Sequence, residues 1–169
     1  MTTPEGPRIL GHLRAADGTG VVHTQDRFDT SIDDLWSALT DPRRLGRWLG
    51  EFDGDLRLGG EFHVRYFGSG AETTARVEMC EPPLRFRVVS KDDKVIEATL
   101  TADGDATVLT VEHRGLPVDR LPAYGAGIQI HVEDLAAHLA GQERCDSDVR
   151  MGELYPAYRG LQIDAETAI

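Results

Sequence analysis

This chain predicts an α+β fold: one curved antiparallel sheet of roughly six or seven strands, wrapped around a long C-terminal helix. Three features carry the prediction. Apolar residues alternate with period two over most of residues 55–115. From Leu121 to Leu139 they recur instead at steps of three and four. Two short stripes of helical period, divided at Asp41-Pro42, follow the first strand directly. With 169 residues, the chain is expected to form one domain and to bury its core without disulfides or metals.

The elements follow in order. Residues 1–19 are rich in Gly, Pro and charge and read as an N-terminal arm, in which "RILGHL" adds at most a short edge strand. "GVVHTQDRFD", from Gly20, is the first strand. In "SIDDLWSALTD", Ser31 is a suitable N-cap with Asp34 three residues on. Ile32, Leu35, Trp36 and Leu39 share one helical face. Asp41-Pro42 ends this helix and opens the next, since Asp can cap and Pro favours the first helical position; Leu45, Trp48 and Leu49 form its apolar stripe. An acidic link, "GEFDGD", leads to "LRLGGEFHVRYF", a hairpin closed at Gly59-Gly60. Phe62, Val64 and Tyr66 take one face of its second strand. "ETTARVEMCE" places Ala75, Val77 and Met79 together, and after a Glu81-Pro82-Pro83 turn "LRFRVVS" alternates Leu84, Phe86 and Val88 with arginines. "VIEATLTA" and "ATVLTVEHRG" complete the meander. The last helix carries Leu121, Tyr124, Ile128, Val132, Leu135 and Leu139 on one face, and Gly141 stops it. The domain is therefore set at residues 20–142. The tail, residues 143–169, holds Leu154, Tyr155 and Tyr158, and Ile130 points away from the core stripe. Disordered segments are poor in aromatics, so the tail is expected to pack on its own domain or to clasp a second copy in a homodimer.

Charge and motifs exclude several functions. A net charge of −11 opposes a nucleic-acid footprint and an anionic membrane surface. No apolar run has transmembrane length, and the N-terminus has neither a basic n-region nor an apolar h-region, so a cytoplasmic location with reduced thiols is expected. The two cysteines, Cys80 and Cys145, match no zinc spacing. Of the six histidines, His131 and His138 lie too far apart on the helix for an i, i+4 metal pair, and Asp134 with His138 reads as a surface charge pair. "GEFDGD" lacks the ligand spacing of a calcium loop. No metal and no cofactor are expected. No nucleophile motif and no phosphate loop are present.

"DRFDTSIDDLWSALTDPRRLGRWL", "LGGEF", "RVEMCEPPLRFRV" and "IHVEDLAAHLAG" together resemble the START-like, SRPBCC superfamily. Within it the chain is most similar to the branch named for the activator of the ninety-kilodalton heat-shock protein ATPase. The resemblance covers about residues 20–141 and extends to "ELYPAYR" in the tail. It implies a helix-grip (START-like or Bet v 1-like) fold with a cavity between sheet and long helix. Its wall would comprise Trp36, Trp48, Phe62, Val64, Tyr66, Val77, Met79, Phe86, Val88, Ile96, Leu109, Val111, Tyr124, Ile128 and Val132, with His113 and His131 at the mouth. Where similar proteins often carry a Trp in the final helix, this chain has Ile128, which leaves more room. The alternative is a solid core at the packing density usual for proteins, with both histidines simply hydrogen-bonded.

Three functions are compatible with this reading. The first is binding of a hydrophobic small molecule. The second is an enzyme of the cyclase or aromatase kind, using Tyr66, His113, Tyr124, His131 or Glu97 for acid–base work. The third is an interaction protein, acting on a chaperone or on itself as a dimer, since the superfamily it resembles includes stress-response proteins and chaperone activators. The separate N-terminal chaperone-binding domain of the eukaryotic activators is not recognisable in this sequence, so direct co-chaperone action is not expected.

Overall fold

Asp17 and Gly18, at φ 53° and 80°, form a two-residue turn with both residues in the left-handed region. Such turns match the twist of a hairpin, and this one joins β1 (Gly11–Ala16) to β2 (Thr19–Phe28) in antiparallel register, with Leu13 opposite Val22. The computed structural model describes residues 6–165. Residues 1–5 of the expected arm and 166–169 of the expected tail lie outside them. The arm reading therefore needs correction over residues 11–16, which are a full strand of the sheet with Leu13 1% exposed.

After β2 come α1 (Ile32–Thr40) and α2 (Pro42–Trp48). Their caps are those the sequence predicts: Ser31 Oγ accepts from Asp34 N at 3.2 Å, and Asp41 Oδ1 accepts from Arg43 N at 2.9 Å. The reciprocal half of a capping box does not form. Asp34 instead accepts from Thr30 Oγ1 at 2.6 Å and pairs with Arg44 at 2.8 Å, which ties α1 to α2.

The "GEFDGD" link is also corrected. It is mostly strand β3 (Gly50–Gly54), paired with β4 (Glu61–Tyr66), so residues 55–60 form the connecting loop and "LRL" is not a strand. Phe52 explains the pairing, since its ring stacks on Phe62 at 5.8 Å and supplies an inward apolar residue to an otherwise acidic stretch. The meander continues through β5 (Glu72–Glu81), β6 (Arg85–Ser90), β7 (Val95–Asp103) and β8 (Ala106–Leu116). With β9 (Ile163–Ala165), the sheet has nine strands in the order β3-β4-β5-β6-β7-β8-β2-β1-β9. It is larger than expected and mixed, because β9 runs parallel to β1. On its outer face, ion pairs link strand to strand: Arg114–Glu97 (3.2 Å) and Arg87–Glu78 (3.1 Å) join neighbours, and Arg14–Glu112 (3.2 Å) reaches from β1 across β2 to β8. These half-exposed pairs mark that face as the polar one.

Helix α3 (Leu121–Leu139) crosses the inner face, and α4 (Ser147–Arg159) packs on the outside of α3. Ile130, off the core stripe read from the sequence, is only 3% exposed because it packs in one cluster with Leu154 and Tyr158 of α4 and Leu13 of β1. Asp134 and His138 do not form the expected surface pair. Asp134 is buried and accepts from Cys145 N at 2.9 Å, which holds the α3–α4 connection, whereas His138 Nε2 accepts from Arg44 Nε at 3.1 Å. Tyr158 seats in a slot made by two glycines: a Cβ on Gly11 would lie 2.6 Å from its hydroxyl, and one on Gly125 would lie 2.6 Å from its ring.

Two predictions follow from this docking. The Tyr158 hydroxyl accepts from Gly11 N at 3.0 Å and donates to Gln129 Oε1 at 2.5 Å, so Tyr158→Phe removes two buried hydrogen bonds and should cost about 1–3 kcal/mol in a denaturant titration. Ending the chain at Gly141 should lower the melting temperature while leaving the mass in solution that of the parent oligomer. A fall from dimer to monomer would mean that α4 docks on a second copy.

Candidate functional site

The concave side of the sheet and the inner face of α3 do not meet everywhere. Between them lies a cavity of about 750 Å³. Its inner end is built by α1 and α2. Trp48 is 4% exposed, with its Nε1 donating to Ala38 O at 2.9 Å, and this bond holds the indole across the wall. Trp36 meets Phe86 edge to face at 5.8 Å. Phe62 and Tyr66 of β4, Val77 of β5, Val88 of β6, Ile96 of β7, and Leu109 and Val111 of β8 form the sheet side. Ile128 and Val132 form the helix side, with Gly127 beside them, where a Cβ would meet no atom within 4 Å.

Two of the expected wall residues are elsewhere. Val64 is fully buried but packs within the cluster of Phe62, Ala75 and Val77, away from the cavity. Met79 is displaced by a β-bulge: Val77 pairs with Val88, but Met79 pairs with Arg87 and Cys80 with Phe86. One extra residue in a strand moves every later side chain to the opposite face, so Cys80 takes the inward place that simple alternation assigns to Met79. Sequence reasoning also missed Leu39, Leu45, Leu49, Phe52, Ala98 and Leu135 as wall, and Met151 of α4. The first three lie on the two helical stripes, which carried the needed signal. Met151 carried none, because its place depends on where α4 docks.

The polar groups gather near the N-terminal half of α3. Tyr66 lies against His131, ring centroids 5.4 Å apart, and His113 meets Tyr124 edge to face at 5.6 Å. Burial pushes the pKa of both imidazoles down to about 4, with Lys94 adding to the effect at His113, and raises that of the Tyr66 phenol. His113 Nδ1 is buried with no hydrogen-bond partner. At neutral pH both imidazoles are therefore uncharged, and they stand beside Tyr66 and Tyr124 on an apolar wall. Among the described residues, no group of three or more His, Cys, Asp or Glu side chains is placed to hold a metal ion.

A curved sheet gripping a helix, with a cavity between them, defines a helix-grip protein of the START-like, SRPBCC type. The chain belongs to the family of activator of Hsp90 ATPase homolog 1-like proteins, whose model matches residues 29–140. No curated protein sequence matches it. Among solved structures, CalU16 from Micromonospora echinospora is 28% identical, with 89% of this chain and 94% of that one covered and a TM-score of 0.73. DynU16, a protein of the dynemicin biosynthetic locus, is 30% identical over 75% of this chain, which spans 50% of DynU16, at a TM-score of 0.66. The AHSA1-like protein from Aeromonas hydrophila, 19% identical with 70% and 92% coverage and a TM-score of 0.59, shares the fold. No helix among the described residues is long and apolar enough to cross a membrane.

The two low imidazole pKa values predict a pH dependence. Above pH 6.5 the histidines are neutral in the folded and the unfolded chain alike. Between pH 6.5 and about 4 the unfolded chain binds protons that the folded one refuses, so stability falls with pH by about 1.4 kcal/mol per unit for each histidine. His138, also lowered by burial, acts in the same direction, while Asp134, raised by burial, opposes it. Denaturant titrations from pH 7 to pH 5 should show this loss, and a His113→Gln/His131→Gln double variant should flatten the slope. An unchanged slope in that variant would assign the loss to other groups.

Proposed function

We propose that this protein binds a hydrophobic small molecule in the cavity between the sheet and α3. The observation that carries the reading is the size of an apolar void. Protein interiors pack to near-crystalline density, with few gaps larger than a water molecule, whereas this hollow measures about 750 Å³ and has mainly aliphatic and aromatic walls. Small-molecule sites have this character, with volumes of roughly 300–1,000 Å³ and a few placed polar groups. Tyr66, Tyr124, His113 and His131 would be those groups, able to orient a ligand by hydrogen bonds without the cost of burying a charge. The DynU16 likeness supports the reading, since that protein comes from a biosynthetic locus.

The paired rings favour a second reading, an enzyme of the cyclase or aromatase kind in which Tyr66–His131 or His113–Tyr124 moves a proton. A general base works best with a pKa near the working pH. Imidazoles at about 4 are weak bases at neutral pH, so binding is the stronger of the two readings.

Gly127 gives the test. It lies inside a helix, and a side chain there enters open space. Gly127→Phe should therefore fold, gaining up to about 0.5 kcal/mol of helix stability, since an aromatic residue recovers only part of what glycine forfeits against alanine, while its ring occupies part of the cavity. In a panel of lipids, aromatics and polycyclic ketones, at least one class should raise the melting temperature of the parent protein and quench Trp36 and Trp48 emission. None should do so in the variant. Native mass spectrometry of the purified protein would show a co-purifying ligand. A panel that shifts neither signal in the parent would remove the binding reading.

A further inference from the structure

The charges around the cavity are one-sided. The chain carries 29 acidic residues against 18 Lys and Arg, yet among the described residues no Asp or Glu lines the cavity, and the two charged residues that do are Arg57 and Arg120. Arg57 is already matched, since Asp55 accepts from it at 3.0 and 3.1 Å. Lys94, close to the same rim, is held by Asp92. Arg120 differs. Its guanidinium sits 5.9 Å from the Tyr124 ring centroid, and no carboxylate among the described residues pairs with it. Tyr124 in turn meets His113, whose Nδ1 has no partner. The unpaired cation and the unpaired imidazole nitrogen thus flank one tyrosine at the rim of an apolar cavity, in a protein that is otherwise strongly acidic.

We propose that the ligand is an amphipathic anion, its apolar body in the cavity and its carboxylate, sulfonate or phenolate at Arg120, so that Arg120 selects anionic over neutral ligands of the same shape. The proposal rests on the small-molecule reading above. A guanidinium matches the planar oxygen pair of a carboxylate. With no Asp or Glu in the wall, such a ligand meets no carboxylate at contact distance inside the cavity. A cationic ligand has no counter-charge on this wall.

Two dyes on one aromatic skeleton test it: 1-anilinonaphthalene-8-sulfonate, which is anionic, and N-phenyl-1-naphthylamine, which is neutral. Each is titrated by fluorescence into the parent protein, Arg120→Gln, Gly127→Phe, and Arg43→Gln, which removes an equal charge from the exposed surface of α2 outside the cavity. Arg120→Gln should weaken the sulfonate about two- to fivefold, the range expected of one ion pair at a solvent-exposed rim, and the neutral dye less than twofold. Arg43→Gln should change neither by as much as twofold, and added salt should weaken only the sulfonate in the parent. Equal weakening of both dyes by Arg120→Gln, or of neither, would overturn the anion assignment and leave cavity binding standing. If neither dye binds the parent, or both bind Gly127→Phe as well as the parent, the small-molecule reading itself fails, and the anion assignment with it.

Discussion

The position of α3 over the sheet depends on one side chain, Gln129. It is 1% exposed and uses every hydrogen-bonding position it has. Its Oε1 accepts from Leu10 N at 3.0 Å and from the Tyr158 hydroxyl at 2.5 Å, and its Nε2 donates to Arg8 O at 2.6 Å and Glu133 Oε2 at 3.0 Å. These bonds reach the segment leading into β1, helix α4, and the next turn of α3 itself. Glu133 extends the network, because Arg150 of α4 grips it with two nitrogens at 2.7 and 2.8 Å. A buried amide left half-satisfied would cost more than it contributes. Fully bonded, it specifies a single docking of three elements.

That docking explains how a void can persist. A helix that relied on its inner face for adhesion would settle onto the sheet, since each unfilled cavity forfeits contact energy. Here α3 is buried on both sides. Its outer face packs against α4 and the β1–β2 hairpin through Ile130, Leu13, Leu154 and Tyr158, while Leu135 and Val132 anchor its C-terminal half to the α1–α2 cluster. With these contacts secured, the face around Gly127 can stand off from the sheet, even though His131 reaches Tyr66 of β4. Gly125 and Gly127 sit two residues apart and do opposite things: the first admits the Tyr158 ring to close approach, and the second leaves space open toward the cavity.

The same division sorts the charges. Carboxylates and arginines share the outer face of the sheet, where ion pairs join one strand to another. The inner face keeps aromatic rings, neutral imidazoles and aliphatic side chains. Trp36 and Trp48 stand where α1 and α2 meet the sheet, and both border the cavity as well as the core, so the two largest apolar side chains serve packing and site together.

Much of this was legible in the chain of residues alone. Ser31 and Asp41 announce the starts of α1 and α2, the three-and-four spacing from Leu121 to Leu139 sets the inward face of α3, and period two marks β4 to β8. These signals are local, because each depends on groups a few residues apart. The Asp17-Gly18 turn was equally local and pointed to the β1–β2 hairpin, although the surrounding Gly and Pro made the segment read as an arm. Other features depend on partners far along the chain and have no local signature. The bulge that exchanges Met79 for Cys80 is set by pairing with β6. The parallel seat of β9 is set by β1, and the burial of Ile130, Gln129 and Asp134 by α4 and its connection. Whether apolar rings close into a solid core or stand apart around a cavity was likewise decided only in three dimensions. Sequence determines which side chains face inward, but the distance between two inward faces is set by what holds each of them from behind.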